Sequence, residues 1–358
     1  MKDIYVNDGS RDTARLLANF FAGLSFDSIP SDVMETVRLF IADYYAACYA
    51  GIRINRKFND ATLNIMKDTC REGKASVFGI EERFSAENAA FMNAVYAHGA
   101  DMDDGNRKAM GHVAAHVMSA VFAFAEEQGG YTWKDVALAI IVGYEAYNRI
   151  AAMAQPGLVH RGFHSTGTAG GIACAAAVAR LMGLGADGIC SAMGIAAIQA
   201  SGLIIIAESG QSCKPLNPAN AARNGIISAK LAAAGVKGPD LALESEKGWF
   251  HAMTDRIRYE MLDDLGKTFT ITESYLKPYP SCRHTHCGIE AAAAIRERML
   301  ALGYSIEDVE RIECRIYENA IRIAGQIKVP ASGEDAKFSI HYSIAVALAT
   351  GDYTLEWL

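Results

Sequence analysis

The sequence predicts a mainly α protein in two parts: a large all-helical domain formed by residues 1–262 plus 334–358, and a smaller α+β domain over 263–333. Three observations carry that expectation. Apolar residues recur at helical spacing through the first two thirds of the chain, a stretch crowded with Ala and Gly lies among them, and the texture turns β-prone after about residue 262. The length of 358 residues suits about two domains at the usual ~100 to 200 residues each.

Ser31 and Asp32 follow Pro30 and can cap DVMETVRLFIADYYAACYA, where Val33, Val37, Phe40, Ile41 and Tyr44 share one helical face. Ser85 precedes AENAAFMNAVYAHGA and Thr132 precedes WKDVALAIIVGYEAYNRIAAM, both expected as amphipathic or buried helices. STGTAGGIACAAAVARLMGLG is expected where helices pack too closely for larger side chains. KTFTITESYLKPYP is then β-prone and stopped by prolines. HCGIEAAAAIRERMLALG is a helix ending at Gly303, and VERIECRIYENAIRI alternates Ile312, Cys314 and Ile316 on one face. That strand, helix, strand order defines the smaller domain, after which EDAKFSIHYSIAVALATG is expected as one more buried helix of the larger one.

Composition excludes several classes. With 51% hydrophobic and 21% charged residues the chain is neither disordered nor collagen-like, and a net charge of −7 argues against a general nucleic-acid binder. Eight scattered cysteines lack the density of a disulfide framework, and MKDIYVNDGSRDTARLL puts charges where a leader needs an apolar run, so a reducing cytoplasmic setting is expected. The uncharged run from residue 188 to 207 is long enough to cross a bilayer. Its Ser, Gln and Gly interruptions and the lack of an aromatic belt point instead to two buried helical pieces and no membrane partner.

Four polar clusters stand out. HGADMDDGNRKAMGH gathers Asp101, Asp103 and Asp104 ahead of His112; crowded carboxylates raise one another's pKa, which suits a general base, although a solvated helix end is the plainer reading. His98, His112 and His116 are too few and too spread for a metal site, so no metal is expected. RGFHSTGTAGG sets Arg161, His164, Ser165 and Thr166 at a helix start, where free N–H groups attract anions or a capping turn forms. ESGQSCKPLNPANAARNG places Lys214 in a polar break, either a surface loop or an anion hook. LKPYPSCRHTHC packs Lys277, Arg283, His284 and His286 behind stiffening prolines. Cys282 and Cys287 lack the further thiols of an iron–sulfur signature, and neither a Gly-x-Ser-x-Gly elbow nor a dinucleotide fingerprint is present.

Taken in order, DMDDGN, RGFHSTGTAGG, GLIIIAESGQSCKPLNPANAARNG, KPYPSCRHTH and AKFSIHYSIAVAL resemble the successive signatures of the MmgE/PrpD family, over nearly the whole chain. That family includes 2-methylcitrate dehydratase, cis-aconitate decarboxylase and iminodisuccinate epimerase. The resemblance implies a helical domain with an α+β lid, a homodimer, no cofactor, and chemistry on small polycarboxylates. By motif, the family's catalytic positions fall on Asp101, His112, His164, Lys214 and Lys277, with Arg161, Arg283 and His286 as candidate substrate-binding residues. The chain departs from the decarboxylase members at Gly105, where they carry Thr, at Val113, where Pro is common, and at Cys282, where they carry His. Asn217 stands where many relatives have His, and the sequence ends at Leu358, where relatives usually continue.

The expected reaction is therefore a dehydratase-like elimination from a hydroxylated di- or tricarboxylate. Proton abstraction beside a carboxylate builds charge that Lys214 and Lys277 can offset, while either His112 or His164 takes the proton, the other serves the leaving hydroxyl, and Asp101 orients one of them. An epimerase or isomerase shares the first step and stays open as the alternative. A non-catalytic member of the family is the third reading.

Overall fold

A computed structural model describes residues 11–69, 72–207 and 211–358. Cys70 and the start of the chain, on which two of the expectations above rest, lie outside the described residues. The fold is mainly helical. In chain order the principal helices are α1 (Thr13–Gly23), α2 (Ser31–Arg53), α3 (Arg56–Thr69), α4 (Ala86–Gly99), α5 (Ala114–Gln128), α6 (Trp133–Ala154), α7 (Gly170–Leu181), α8 (Ala186–Ala197) and α9 (Leu216–Ala233), followed by α10 (His286–Ala301) and α11 (Ile340–Thr350). Two short antiparallel pairs supplement them: β1 (Ala75–Ser76) with β2 (Arg83–Phe84), and β3 (Gly105–Asn106) with β4 (Ser274–Tyr275).

Local signals start several helices as expected. Ser85 accepts from the Asn88 N–H at the head of α4, and Thr132 and Asp135 form a reciprocal capping box on α6. At α2 the helix begins one residue earlier than Asp32, and Pro30 occupies the cap position without a side-chain bond. Helices α4, α6 and α7 are buried on nearly every side, and with the buried faces of α5 and α9 they enclose one core running from Ala14 to Ile271. Close approach explains the Ala and Gly content: a Cβ on Gly225 of α9 would lie 2.2 Å from the Cys174 Cβ of α7.

Among the described residues α6 alone is long and apolar enough to cross a membrane, and 94% of that stretch is buried in the core. The run from 188 to 207 is broken, as expected, into α8 and a 3-10 turn at Ile204–Ala207, although Ile198, Leu203 and Ile205 are exposed.

The smaller part differs from expectation in two ways. The anticipated strand at 312–316 is exposed extended chain with no ladder partner among the described residues; Ile312 and Cys314 face water. An alternating pattern makes a strand only where another strand satisfies its backbone. The other strand survives as β4, but it pairs with β3 of the helical part. Nor does the apolar face of residues 334–358 rejoin the large core. Ile340, Ile344, Ala347 and Tyr353 form a second core with Ile289 and Ala292 of α10, because α11 and α10 each offer an apolar stripe that the other covers. The segment before α11 reaches back, where the Lys337 ammonium donates to the Gly99 carbonyl at 2.8 Å.

Candidate active site

The chain leaving α4 builds most of the site. Asp101 adopts φ +53°, a left-handed conformation that a non-glycine residue holds when its surroundings determine it. Charge supplies that constraint. Lys214 Nζ donates to Asp101 Oδ1 at 2.7 Å, while Lys277 Nζ donates to the Asp101 backbone carbonyl at 2.7 Å and stands 3.4 Å from Oδ2. Asp101, Lys214 and Lys277 are 3%, 8% and 4% exposed, so this is an interior ion cluster rather than a solvated helix end. Burial opposes the aspartate's charge, yet the two lysines outweigh it and hold the carboxyl well below the usual carboxylate range.

His112 enters beside them, its Nε2 3.9 Å from Asp101 Oδ1. Its backbone N–H donates to Thr166 Oγ1 at 3.1 Å, and Nδ1 lies 2.7 Å from the Asp104 carbonyl oxygen. His98, from the last turn of α4, has its ring centroid 4.8 Å from that of His112 and 6.0 Å from that of His164. Its Nδ1 pairs with Asp103 Oδ2 at 2.8 Å, and its buried Nε2 has no hydrogen-bond partner among the described residues. Burial first, then nearby lysines, takes His98, His112 and His164 well below the ordinary imidazole value, although Asp103 pulls His112 the other way. All three rings are neutral near pH 7.

Asp104 faces the opposite direction. Its Oδ1 accepts from the N–H groups of Val113 and Ala114 at the start of α5, at 3.1 and 2.8 Å, and Tyr144 donates to Oδ2 at 2.8 Å. Burial still dominates and pushes this carboxyl up to about 7. Asp43 of α2 is pushed up to about 8, by burial and then by Asp104 and Asp103. Ser165 and Thr166 do not cap their own helix turn. They brace the loop carrying His112 instead: Ser165 Oγ donates to the Ala109 carbonyl at 2.8 Å, and Tyr147 donates to Ser165 Oγ at 3.1 Å.

The five residues expected to be catalytic therefore converge, but the three expected to bind substrate divide. The Arg161 guanidinium is turned to the carbonyls of His251 and Ala252 and to the Asp255 carboxylate, and holds that turn. His286 is fully buried, with Nε2 donating to the Ser281 carbonyl at 3.2 Å and its ring edge-on to Tyr279. Both side chains bond nearby backbone carbonyls, because a helix start fixes only which residues are neighbours, not which way long side chains turn. Arg283 places its guanidinium 5.4 Å from the centroid of the Tyr275 ring.

Two participants went unread in the sequence, and a third, Asn217, was marked there only as a departure from the family pattern. Lys337 is 3% exposed and pairs with Glu334 at 2.7 Å, beside the carbonyl of Gly99. Tyr275 lies opposite Gly105 in the β3–β4 pair, and a Cβ at 105 would lie 2.5 Å from its hydroxyl. Asn217 donates through Nδ2 to His164 Nδ1 at 3.0 Å. Its spacing of three from Lys214 was the available signal, since that interval brings both side chains to one side of a helical turn.

His98, Asp101, Asp103 and His112 each offer a ligand atom, all within 4.8 Å of one another. This donor set is closer to a metal site than the sequence implied. Two ammonium groups already neutralise Asp101, however, and repel a dication, while His98 spends Nδ1 on Asp103. The arrangement fits an organic anion better than a cation.

A helical fold that gathers lysines and histidines around one buried carboxylate, where a second core adjoins the first, defines the class. The chain belongs to the MmgE/PrpD family, whose N-terminal domain matches residues 15–261 and whose C-terminal domain matches residues 279–358. A cis-aconitate decarboxylase of Aspergillus terreus is 30% identical over 354 residues, an alignment covering 93% of this chain and 71% of that protein. A cis-aconitate decarboxylase-like protein of Aspergillus oryzae is 31% identical over 290 residues, covering 77% and 60%. The human cis-aconitate decarboxylase is 28% identical over 280 residues, covering 75% and 56%.

Proposed function

We propose that this protein is a cofactor-independent lyase that removes water from a small hydroxylated di- or tricarboxylate, in the manner of 2-methylcitrate dehydratase. The observation that carries the reading is the buried set of Lys214, Lys277 and His112 around Asp101. A substrate carboxylate meets the two ammonium groups, and they stabilise the second negative charge that grows on it as the adjacent carbon loses its proton. His112, neutral near pH 7, takes that proton on Nε2. The carbon–oxygen bond then breaks with its electron pair leaving on oxygen, and the proton returns from the imidazolium to the departing hydroxide as water. Asp101 keeps the lysines and His112 in register.

A second reading, decarboxylation, is favoured by the relatives named cis-aconitate decarboxylase. There the carbon–carbon bond breaks with loss of carbon dioxide and the electron pair left on carbon then takes a proton, so the resting site must already hold a proton donor rather than a free base. A neutral His112 supports proton abstraction first. The test is incubation with citrate, 2-methylcitrate, isocitrate and cis-aconitate in deuterated water, followed by NMR. Loss of the hydroxyl with a new alkene supports dehydration. Release of carbon dioxide from an unsaturated acid moves the assignment to decarboxylation, solvent exchange or inversion alone moves it to epimerisation, and inertness toward all four acids removes the proposed substrate class.

A further inference from the structure

The two site histidines are bonded on opposite sides of their protonation pattern. His112 Nδ1 sits 2.7 Å from the Asp104 carbonyl oxygen, and a carbonyl only accepts, so Nδ1 carries the ring hydrogen. Its Nε2 lone pair is then what faces Asp101.

At His164 the order is reversed. Asn217 Nδ2 lies 3.0 Å from His164 Nδ1 and 3.4 Å from the Leu203 carbonyl oxygen. The second contact decides which end of the amide is which, because the opposite orientation would set two oxygens against each other. Leu203 is itself held in place: the His164 N–H donates to the Gly202 carbonyl at 3.0 Å, and the Ile204 N–H donates to the Gly162 carbonyl at 2.9 Å. An amide NH2 only donates, so His164 Nδ1 must accept and its ring hydrogen resides on Nε2.

We infer that Asn217 is a positioning residue that fixes His164 as a neutral hydrogen-bond donor, leaving His112 as the single base of the pair. The assignment rests on the dehydratase reading for its chemistry, though not for its geometry. A neutral imidazole donor polarises a substrate oxygen on which charge develops and gives up no proton itself, so the proton taken by His112 remains the one returned to the leaving group. Had both rings presented lone pairs, two bases would face one proton and neither imidazole would donate to the departing oxygen.

The test compares the chain with Asn217→Asp, which keeps the shape of the side chain but turns the donor into a carboxylate acceptor. Long-range 1H–15N spectra of the imidazole rings, with His164 assigned by the signals lost in His164→Gln, report which nitrogen carries hydrogen. The expected result is hydrogen on Nε2 of His164 in the unaltered protein and on Nδ1 in Asn217→Asp. In parallel, kcat for water loss should fall about 100-fold or more, the effect of losing one donor to a developing oxyanion, and exchange of the carbon-bound proton should fall far less. Hydrogen on Nδ1 of His164 in the unaltered protein overturns the proposal, even if Asn217→Asp fails to fold. An unchanged tautomer in a folded Asn217→Asp overturns it as well. If no polycarboxylate is turned over, the dehydratase reading fails while the spectra still decide the role of Asn217.

Discussion

Asp101 shows how few contacts separate a site from a helix end. Taken with its neighbours in sequence it is one of three crowded acids; with Lys214 and Lys277 against it, it is a buried anchor for cations. Lys214→Met or Lys277→Met is therefore expected to lower kcat/KM by the equivalent of about 2 to 4 kcal/mol, through loss of a charge-assisted contact that strengthens in the transition state. Either variant should also lower the unfolding midpoint, since it leaves a buried carboxylate less compensated. Wild-type kcat/KM in either would return that lysine to a structural role. The same argument covers metals: because two ammonium groups already occupy the field around Asp101, turnover should survive prolonged incubation with EDTA, and loss restored by one metal ion would contradict it. The histidines give a pH expectation. His98, His112 and His164 lie well below the ordinary value of about 6.5, so the rings stay unprotonated as pH falls through that value. They favour the fold fully above pH 6.5, where unfolded imidazoles are also neutral, and progressively less below it, where the unfolded chain binds protons first. Ring-proton NMR should show no titration of these three between pH 6 and 8.

At the scale of elements, the helices announced by local chemistry formed where their caps placed them, as Ser85 and Thr132 illustrate. The alternating Ile312, Cys314 and Ile316 did not make a strand, because a ladder depends on a neighbour that periodicity cannot supply. The β3–β4 pair is the opposite case: two residues on each side, Gly105 opposite Tyr275, bring the phenol ring against the backbone of the site loop. A Cβ at 105 would lie 2.5 Å from the Tyr275 hydroxyl and 2.6 Å from Cζ, so Gly105→Ala should destabilise by about 1 to 3 kcal/mol as an overpacked contact. Combining it with Tyr275→Leu is expected to cost less than the sum of the two single changes in urea unfolding. Strict additivity would show that the ring and the glycine do not share that space.

For the whole molecule, α11 packs against α10 in a core of its own, and the β4 strand pairs with β3 of the helical part. The homodimer implied by the family resemblance is a proposal that the surface suits: Ile198, Leu203 and Ile205 follow one another at 69%, 56% and 58% exposure, and Ile227 and Leu231 lie one turn apart on α9, each more than a third exposed. Light scattering at micromolar concentration should report twice the chain mass, and Ile205→Glu should shift the population toward monomer. A monomer mass for the unaltered chain would remove the proposal.

The sequence by itself determined the helical class, the caps, the polar clusters and, through their order, the family. Those are properties of neighbours along the chain, where spacing decides which residues share a face. Tertiary structure alone decided which clusters meet. Asp101 is 113 residues from Lys214 and 176 from Lys277, and nothing local sets those pairings. It likewise decided that Arg161 and His286 turn to nearby carbonyls, and that Lys337 reaches the back of the site. The opposite polarity of His112 and His164 belongs to the same group. Two histidines are alike in sequence, and only the acceptor at one Nδ1 and the donor at the other distinguish them.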